Sequence, residues 1–387
     1  MFKRIMAGML FFLLIFSSTF AEESKQVNTD VSAEIVTAPS AILMEQTTKQ
    51  VLYELDADKK MPIASVTKTM TMLLIMEAID GGKIKYTDMV TTSEHAASMG
   101  GSQVFLEVGE QMSVDEMLKS IAVSSGNDAA VAMAEHISGT EEAFVEQMNK
   151  RASELGAKNT HFINCNGLDE TDEHYSTARD VALISAELLR HPDIEKYLTI
   201  WMDTIRNGQF GLSNTNKLIR FYQGANGIKT GSTSIAKYCL SASAKRDNMQ
   251  LIAVVLGAPS TADRFSSASK LLDYGFANYA IADNSSYKAK IPKIKVAGGT
   301  ESEVGAEIGG GLNAVVRKGN QNKITVKIKT KDKLNAPVKK GDKVGEAVFY
   351  IDGKELTRRN VVAKKDVDEI NCIQMFGKCL KKWATLY

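Results

Sequence analysis

The sequence predicts a mixed α/β (α+β) protein: an antiparallel sheet flanked by helices, then a small all-β domain and a C-terminal amphipathic helix. Three observations predict it. Two apolar runs, Tyr238 to Ala244 and Gln250 to Leu256, flank a polar KRDNM and read as neighbouring antiparallel strands. Apolar-periodic stretches with capping residues recur between Pro62 and His191 and read as helices. From about Ser286 to Val362, apolar and polar residues alternate between Gly, Asn and Asp turns, which is a strand pattern.

Taken in order, the chain opens with a targeting segment. Lys3 and Arg4 precede the apolar run IMAGMLFFLLIF, and small residues follow up to Ala21. Residues 1–21 therefore read as a signal peptide, with an uncleaved anchor as the other reading. No cysteine stands at the cleavage position, so no lipid attachment is expected there. Residues 22–37 are polar and aperiodic and read as a flexible leader. Ala41 to Met44 and Val51 to Glu54 form an expected β-hairpin feeding a helix after Pro62, on which Met70, Leu73, Leu74 and Ile79 recur at helical spacing. Ser113 and Glu116 make a capping box for the next helix, which breaks at Ser124-Ser125-Gly126-Asn127-Asp128 and resumes in DAAVAMAEHI. Ser176 or Thr177 caps a helix beginning at Ala178. A strand carrying Lys229-Thr230-Gly231 precedes the two apolar strands. A helix with Phe265, Leu271, Leu272 and Phe276 then closes a first domain over residues 38–283. Residues 284–364 form the β-rich domain. In residues 365–387, Val367, Ile370, Ile373, Phe376, Leu380, Trp383 and Tyr387 fall three and four apart, with acids at the start and lysines in the later turns.

Composition narrows the function. The chain has 387 residues, 44% hydrophobic and 24% charged, and a net charge of +1, so it has the means for a sizeable core and no electrostatic case for nucleic acid. The five histidines, His95, His136, His161, His174 and His191, show no metal-ligand spacing, and neither metal nor cofactor is expected. Cys372 and Cys379 are seven apart on a helix, too far to bridge, and Cys165 and Cys239 read as small buried residues, so free thiols are expected. The acids Asp169, Glu170, Asp172 and Glu173 read as a solvated loop cluster rather than a paired-carboxylate site.

Three motifs carry chemistry. In Ser65-Val66-Thr67-Lys68, a helix start puts the lysine amine at i+3 on the serine's face, and the helix N-terminus favours developing negative charge. Those are the parts of an activated serine nucleophile; the plain alternative is a helix cap with a surface lysine. Ser125-Gly126-Asn127 interrupts a helix and aims short polar side chains out of it, or is an ordinary turn. Lys229-Thr230-Gly231 pairs a cation and a hydroxyl with a glycine that allows close approach, a seat for a carboxylate.

Taken together and in this order, S-x-x-K, S-x-N and K-T-G resemble the motif set of the penicillin-recognising serine enzymes. The flanks ILMEQTTKQVLYE, SVTKTMT, SSGNDAAVAMAEH, HYSTARD and GIKTGSTSIAKYCLSASAKRD are similar to D-alanyl-D-alanine carboxypeptidases of the low-molecular-mass penicillin-binding class, from about residue 38 to the C-terminus. The resemblance implies the penicillin-binding, β-lactamase-like serine transferase fold for 38–283. It implies Ser65 as acylated nucleophile, Lys68 as general base and Ser125 as proton relay. Asn127 would bind the substrate backbone and orient Lys68. Lys229, Thr230 and Gly231 would seat the free carboxylate, and the N–H groups of Ser65 and Ser232 would form the oxyanion hole. The implied substrates are peptidoglycan stem peptides, with β-lactam antibiotics as mimics. The tail 365–387 is too short and too charged to span and reads as a membrane-surface helix, or as a helix packed on its own domain. The expected location is the outer face of the cytoplasmic membrane, peripherally attached.

Two rivals are weighed. A class A β-lactamase would need a glutamate-led E-x-x-L-N loop, which the acidic stretch before His174 lacks. A non-catalytic penicillin-binding wall module would have no chemical need to keep Ser65, Lys68 and Lys229 together.

Overall fold

The structure is a computed structural model that describes residues 35–168 and 171–384. The expected signal peptide, nearly all of the leader, and Asp169 and Glu170 of the acidic loop lie outside the described residues. A five-stranded sheet organises the first part of the chain. Its strands are β1 (Ser40–Glu45), β2 (Val51–Leu55), β3 (Ala225–Thr233), β4 (Lys237–Arg246) and β5 (Met249–Ala258), in the order β2-β1-β5-β4-β3. Every neighbouring pair is antiparallel.

The central strands are apolar along their whole length because both faces are covered. On β5, Ile252, Val254 and Leu256 enter one core while Leu251, Ala253 and Val255 enter the other. The first core holds the helices α1 (Lys68–Asp80), α2 (Val114–Ser124), α3 (Asn127–Ser138), α4 (Glu141–Glu154) and α5 (Ala178–Leu188). The second is closed by α6 (Thr261–Asn278), through Leu271, Leu272 and Phe276. Side-chain oxygens cap four of these helices at the expected kind of residue: Ser113, Thr140, Thr177 and Ser260 each accept from a backbone N–H one turn on. Helix α1 is buried on nearly every side from Lys68 to Met76, so it runs through the middle of the helical layer.

The chain leaves α6 directly into a strand, Tyr279–Ala282, that pairs with Ala314–Arg317 of the second region. Val315 points into the second core of the first region, while Ala314 and Val316 enter the β-domain core. That domain has a four-stranded sheet, ordered Ala306–Ile308, Lys354–Ala363, Lys343–Ile351 and Thr325–Thr330, and a three-stranded one around Ile294–Ala297. Charge is divided unevenly between the two regions. Residues 35–283 carry 22 Lys and Arg against 31 Asp and Glu, whereas residues 284–371 carry 19 against 11.

The tail departs from the expected register. Val367 is buried in the β-domain and bridges to Val338, and the N–H of Ile370 donates to the Gly298 carbonyl. The helix, α7, spans only Cys372–Ala384, so the acids Asp366, Asp368 and Glu369 precede it rather than filling its first turn. Backbone pairing with the β-domain overrides the helical spacing of Val367 and Ile370. Ile373, Met375, Phe376 and Leu380 of α7 are exposed. Among the described residues no helix is long and apolar enough to cross a membrane. Cys165, Cys239 and Cys372 are free.

Candidate active site

Ser65 lies on a single 3₁₀ turn, Ala64–Thr67, that runs straight into α1. The turn is strained: Ala64 has φ of 48°, a left-handed conformation unfavourable for a residue with a β-carbon. Its surroundings hold it there. The Thr67 hydroxyl donates to the Ala64 carbonyl (2.8 Å) and is itself 2.7 Å from His174 Nε2. His174 Nδ1 accepts from the Ile163 N–H, so Nε2 carries the proton and donates to Thr67. Gly167 closes the other side; with φ of 77°, it lies where a Cβ would meet the Ala64 carbonyl oxygen at 2.0 Å.

Lys68 is fully buried, and its Nζ stands 3.0 Å from Ser65 Oγ. The same nitrogen donates to Asn127 Oδ1 (2.5 Å) and to the Asn166 carbonyl (2.9 Å). A neutral amine has two N–H donors and one lone pair. Two carbonyl acceptors use the two donors and leave the lone pair for the serine hydroxyl. Burial pushes Lys68 from the ordinary lysine range down to about 7, against weaker opposing pulls from Cys165 and Asp128. The neutral form is thus populated near neutral pH.

Ser125 ends α2 with φ of 64°, and the N–H of Gly126 beside it donates to the Ser120 carbonyl. Its hydroxyl is buried without a hydrogen-bond partner among the described residues. Asn127 opens α3; its backbone N–H donates to the Ser102 carbonyl and its Nδ2 to the Gly100 carbonyl. Asp128 accepts from the N–H groups of Val104 and Leu106 and so fastens the 100–106 loop beside Asn127.

Strand β3 brings the third motif. Lys229 is buried, and burial, with lesser repulsion from Lys68 and Arg264, pushes its ammonium well below the ordinary value. Thr230 Oγ1 donates to Thr215 Oγ1 at 2.7 Å. Gly231 passes so close to the Ser65 turn that a Cβ there would meet the Ile63 carbonyl at 2.6 Å and the Ser65 nitrogen at 2.9 Å. Ser232, next along, is exposed. Ser65, Lys68 and Asn127 are joined by hydrogen bonds, and Gly231 packs against the Ser65 turn. Several neighbours were not evident from the sequence. Asn166 contributes only a backbone carbonyl. Thr215 lies in a loop between Asn214 and Asn216. Arg264 reaches from α6 to donate to the carbonyls of Gly231 and Cys239. One signal for Arg264 existed: a charged residue on the same helical face as Ala268, Leu271 and Leu272. Among the described residues no group of three or more His, Cys, Asp or Glu side chains could hold a metal ion.

Residues 26–260 match the family model for D-alanyl-D-alanine carboxypeptidase, and residues 282–369 match the C-terminal domain of penicillin-binding protein 5. The chain belongs to the D-alanyl-D-alanine carboxypeptidase family. Within that family it is 44% identical over 389 residues to the D-alanyl-D-alanine carboxypeptidase DacF of Bacillus subtilis, covering 99% of both chains. It is 36% identical to DacA of Haemophilus influenzae, covering 95% of this chain and 94% of that one. Among solved structures, penicillin-binding protein 5 from Haemophilus influenzae superimposes with a TM-score of 0.77 at 36% identity, covering 86% of this chain and 98% of that one. Penicillin-binding protein D2 from Listeria monocytogenes, solved in its ampicillin-bound form, gives 0.57 at 31% identity, covering 62% of this chain and 98% of that one. The fold is therefore that of the penicillin-binding carboxypeptidases.

Proposed function

We propose that the chain is a serine-type D-alanyl-D-alanine carboxypeptidase that removes the terminal D-alanine from peptidoglycan pentapeptide stems through an acyl-enzyme on Ser65. The observation that carries this is the buried Lys68 amine, 3.0 Å from Ser65 Oγ with both its N–H donors engaged by carbonyls. Ser65 Oγ attacks the carbonyl between the two D-alanines while Lys68 takes its proton. The N–H groups of Ser65 and Ser232 hold the developing oxyanion. Ser125 relays the proton from Lys68 to the leaving amine as the C–N bond breaks. Water then cleaves the ester and frees Ser65. Asn127 orients Lys68 and binds the peptide backbone. Lys229 and Thr230, with Gly231 leaving room, seat the terminal carboxylate. An approaching carboxylate favours the charged form of Lys229 and offsets the cost of its burial. Penicillins, which also present a carboxylate beside a reactive amide, would acylate the same serine.

The same reading extends to the rest of the chain. Residues 1–21 would direct export and 22–37 act as a leader. Residues 38–283 would form the catalytic domain and 284–364 a spacer. Residues 365–387 would rest on the outer face of the cytoplasmic membrane through the exposed apolar side chains of α7.

The test is intact mass against time after mixing with benzylpenicillin, for the wild type and Ser65→Ala. A one-to-one adduct that persists for minutes and is missing from the variant supports the proposal, as does D-alanine release from an acylated D-Ala-D-Ala peptide. Rapid consumption of the drug without a lasting adduct would point to a β-lactamase. No adduct and no release from folded protein would remove Ser65 from the mechanism.

A further inference from the structure

Behind the carboxylate seat stands a second hydroxyl to which no motif assigns a role. Thr215 Oγ1 lies 2.7 Å from Thr230 Oγ1 and accepts its proton. The position of Thr215 is fixed from both sides. Its own N–H donates to the Val123 carbonyl (3.2 Å), two residues before Ser125. Asn214, nearly buried, accepts from the Asn216 N–H through Oδ1 and donates through Nδ2 to the Ile200 carbonyl. Asn216, also buried, donates to the Gly227 carbonyl on β3, two residues before Lys229. Thr215 therefore bridges the end of α2 and the strand of Lys229 and Thr230, and it keeps partial exposure.

We propose that Thr215 is a positioning residue that orients the Thr230 hydroxyl toward the substrate's terminal carboxylate and so contributes to the preference for a free C-terminus. The proposal rests on the carboxypeptidase reading above. Without substrate, Thr230 donates and Thr215 accepts. A carboxylate can only accept, so the Thr230 proton must turn toward it. Thr230 Oγ1 then has a lone pair facing Thr215, whose own hydroxyl can rotate and donate. The two-hydroxyl chain reverses direction without losing the bond between its members. Donation into Thr230 also polarises its O–H, which strengthens the bond to the anion. The buried asparagines on either side hold the distance constant through that reversal.

The experiment compares wild type, Thr215→Val and Thr215→Ser. It measures kcat and KM for D-alanine release from an N-acylated peptide ending in D-Ala-D-Ala, and the rate of Ser65 acylation by benzylpenicillin and by its methyl ester. The valine variant should raise KM about fivefold, with kcat nearly unchanged, for the loss of one bond to an ionic network. It should slow acylation by benzylpenicillin by a similar factor and leave the ester, which has no carboxylate, at the wild-type rate. Serine should restore both. Thr215→Ala gives the same comparison should the valine variant not fold. An unchanged or lower KM, or equal slowing of acid and ester, overturns the proposal. Wild-type protein that is acylated but releases no D-alanine overturns the carboxypeptidase reading, while the acid and ester pair still reports on Thr215. Wild-type protein that does neither overturns both.

Discussion

Lys68 is buried where a charged amine is costly, and its titration gives the site a direction in pH. In the proposed mechanism acylation requires the neutral form, so kcat/KM should rise with pH through about 7, a limb that a pH-rate profile will show. Stability follows with its own sign. Between about 7 and the ordinary lysine value of 10.5, the unfolded chain holds a proton that folded Lys68 has released. The unfolded state then binds more protons, and this group makes folding more favourable as pH rises through that window. Lys68→Met removes the effect, so its stability gain over wild type in urea melts should be largest near pH 6 and shrink toward pH 10. At this scale the sequence was informative where chemistry demands a side chain. Ser65, Lys68, Asn127, Lys229 and Thr230 could be picked out because their side chains themselves make up the three motifs. Asn166 could not, because it supplies a carbonyl that any residue type would carry. Thr215 could not, because only the folded chain brings it to β3, and Arg264 showed only as a charge on an otherwise apolar helical face.

One glycine decides how two elements meet. At Gly231, β3 crosses the Ser65 turn with no room for a methyl group. Gly231→Ala should push strand and turn apart by several tenths of an ångström or more and reduce the acylation rate by about 100-fold, since misplacement on that scale is costly to an aligned reaction. Stopped-flow acylation alongside a thermal melt separates this from unfolding. Asp128 works through a loop: Asp128→Asn leaves weaker acceptors for Val104 and Leu106 and should cost about 1–3 kcal/mol, read as a lower urea midpoint. The serine cap at Ser113 and the threonine cap at Thr177 were legible because a cap is a local bond between near neighbours. The Glu116 carboxylate, however, accepts from the Ser113 hydroxyl and the Arg206 N–H and does not complete the expected capping box. The start of α7 departs from the helical spacing for the opposite reason. Val367 and Ile370 have helical spacing, but their backbone groups are taken by Val338 and Gly298, partners far away in sequence. The αL residue that ends α2, Ser125, is a serine and not a glycine, so a break was readable only from Gly126 beside it.

For the whole molecule, the antiparallel core and the separate β-domain were visible as a change of period from mixed to strictly alternating. The shared strand between them was not: Tyr279–Ala282 pairs with a segment more than thirty residues on, and Val315 is lodged in the first region's core. If α7 is the membrane contact, a chain truncated after Asn371 keeps the Val338–Val367 bridge and should lose most of its binding to anionic vesicles in a sedimentation assay. Equal binding by both forms would leave α7 without that role. The division of charge carries one more consequence. A net charge of +1 describes a nearly neutral particle, yet its acid-rich head and base-rich foot make it a large electric dipole. A negatively charged surface exerts little net pull on such a particle but does exert a torque, turning the foot inward before anything touches. If the chain meets an anionic membrane surface, that alignment would act over about one Debye length, roughly 8 Å at physiological salt, and so steer only the last step of approach and weaken as salt is added.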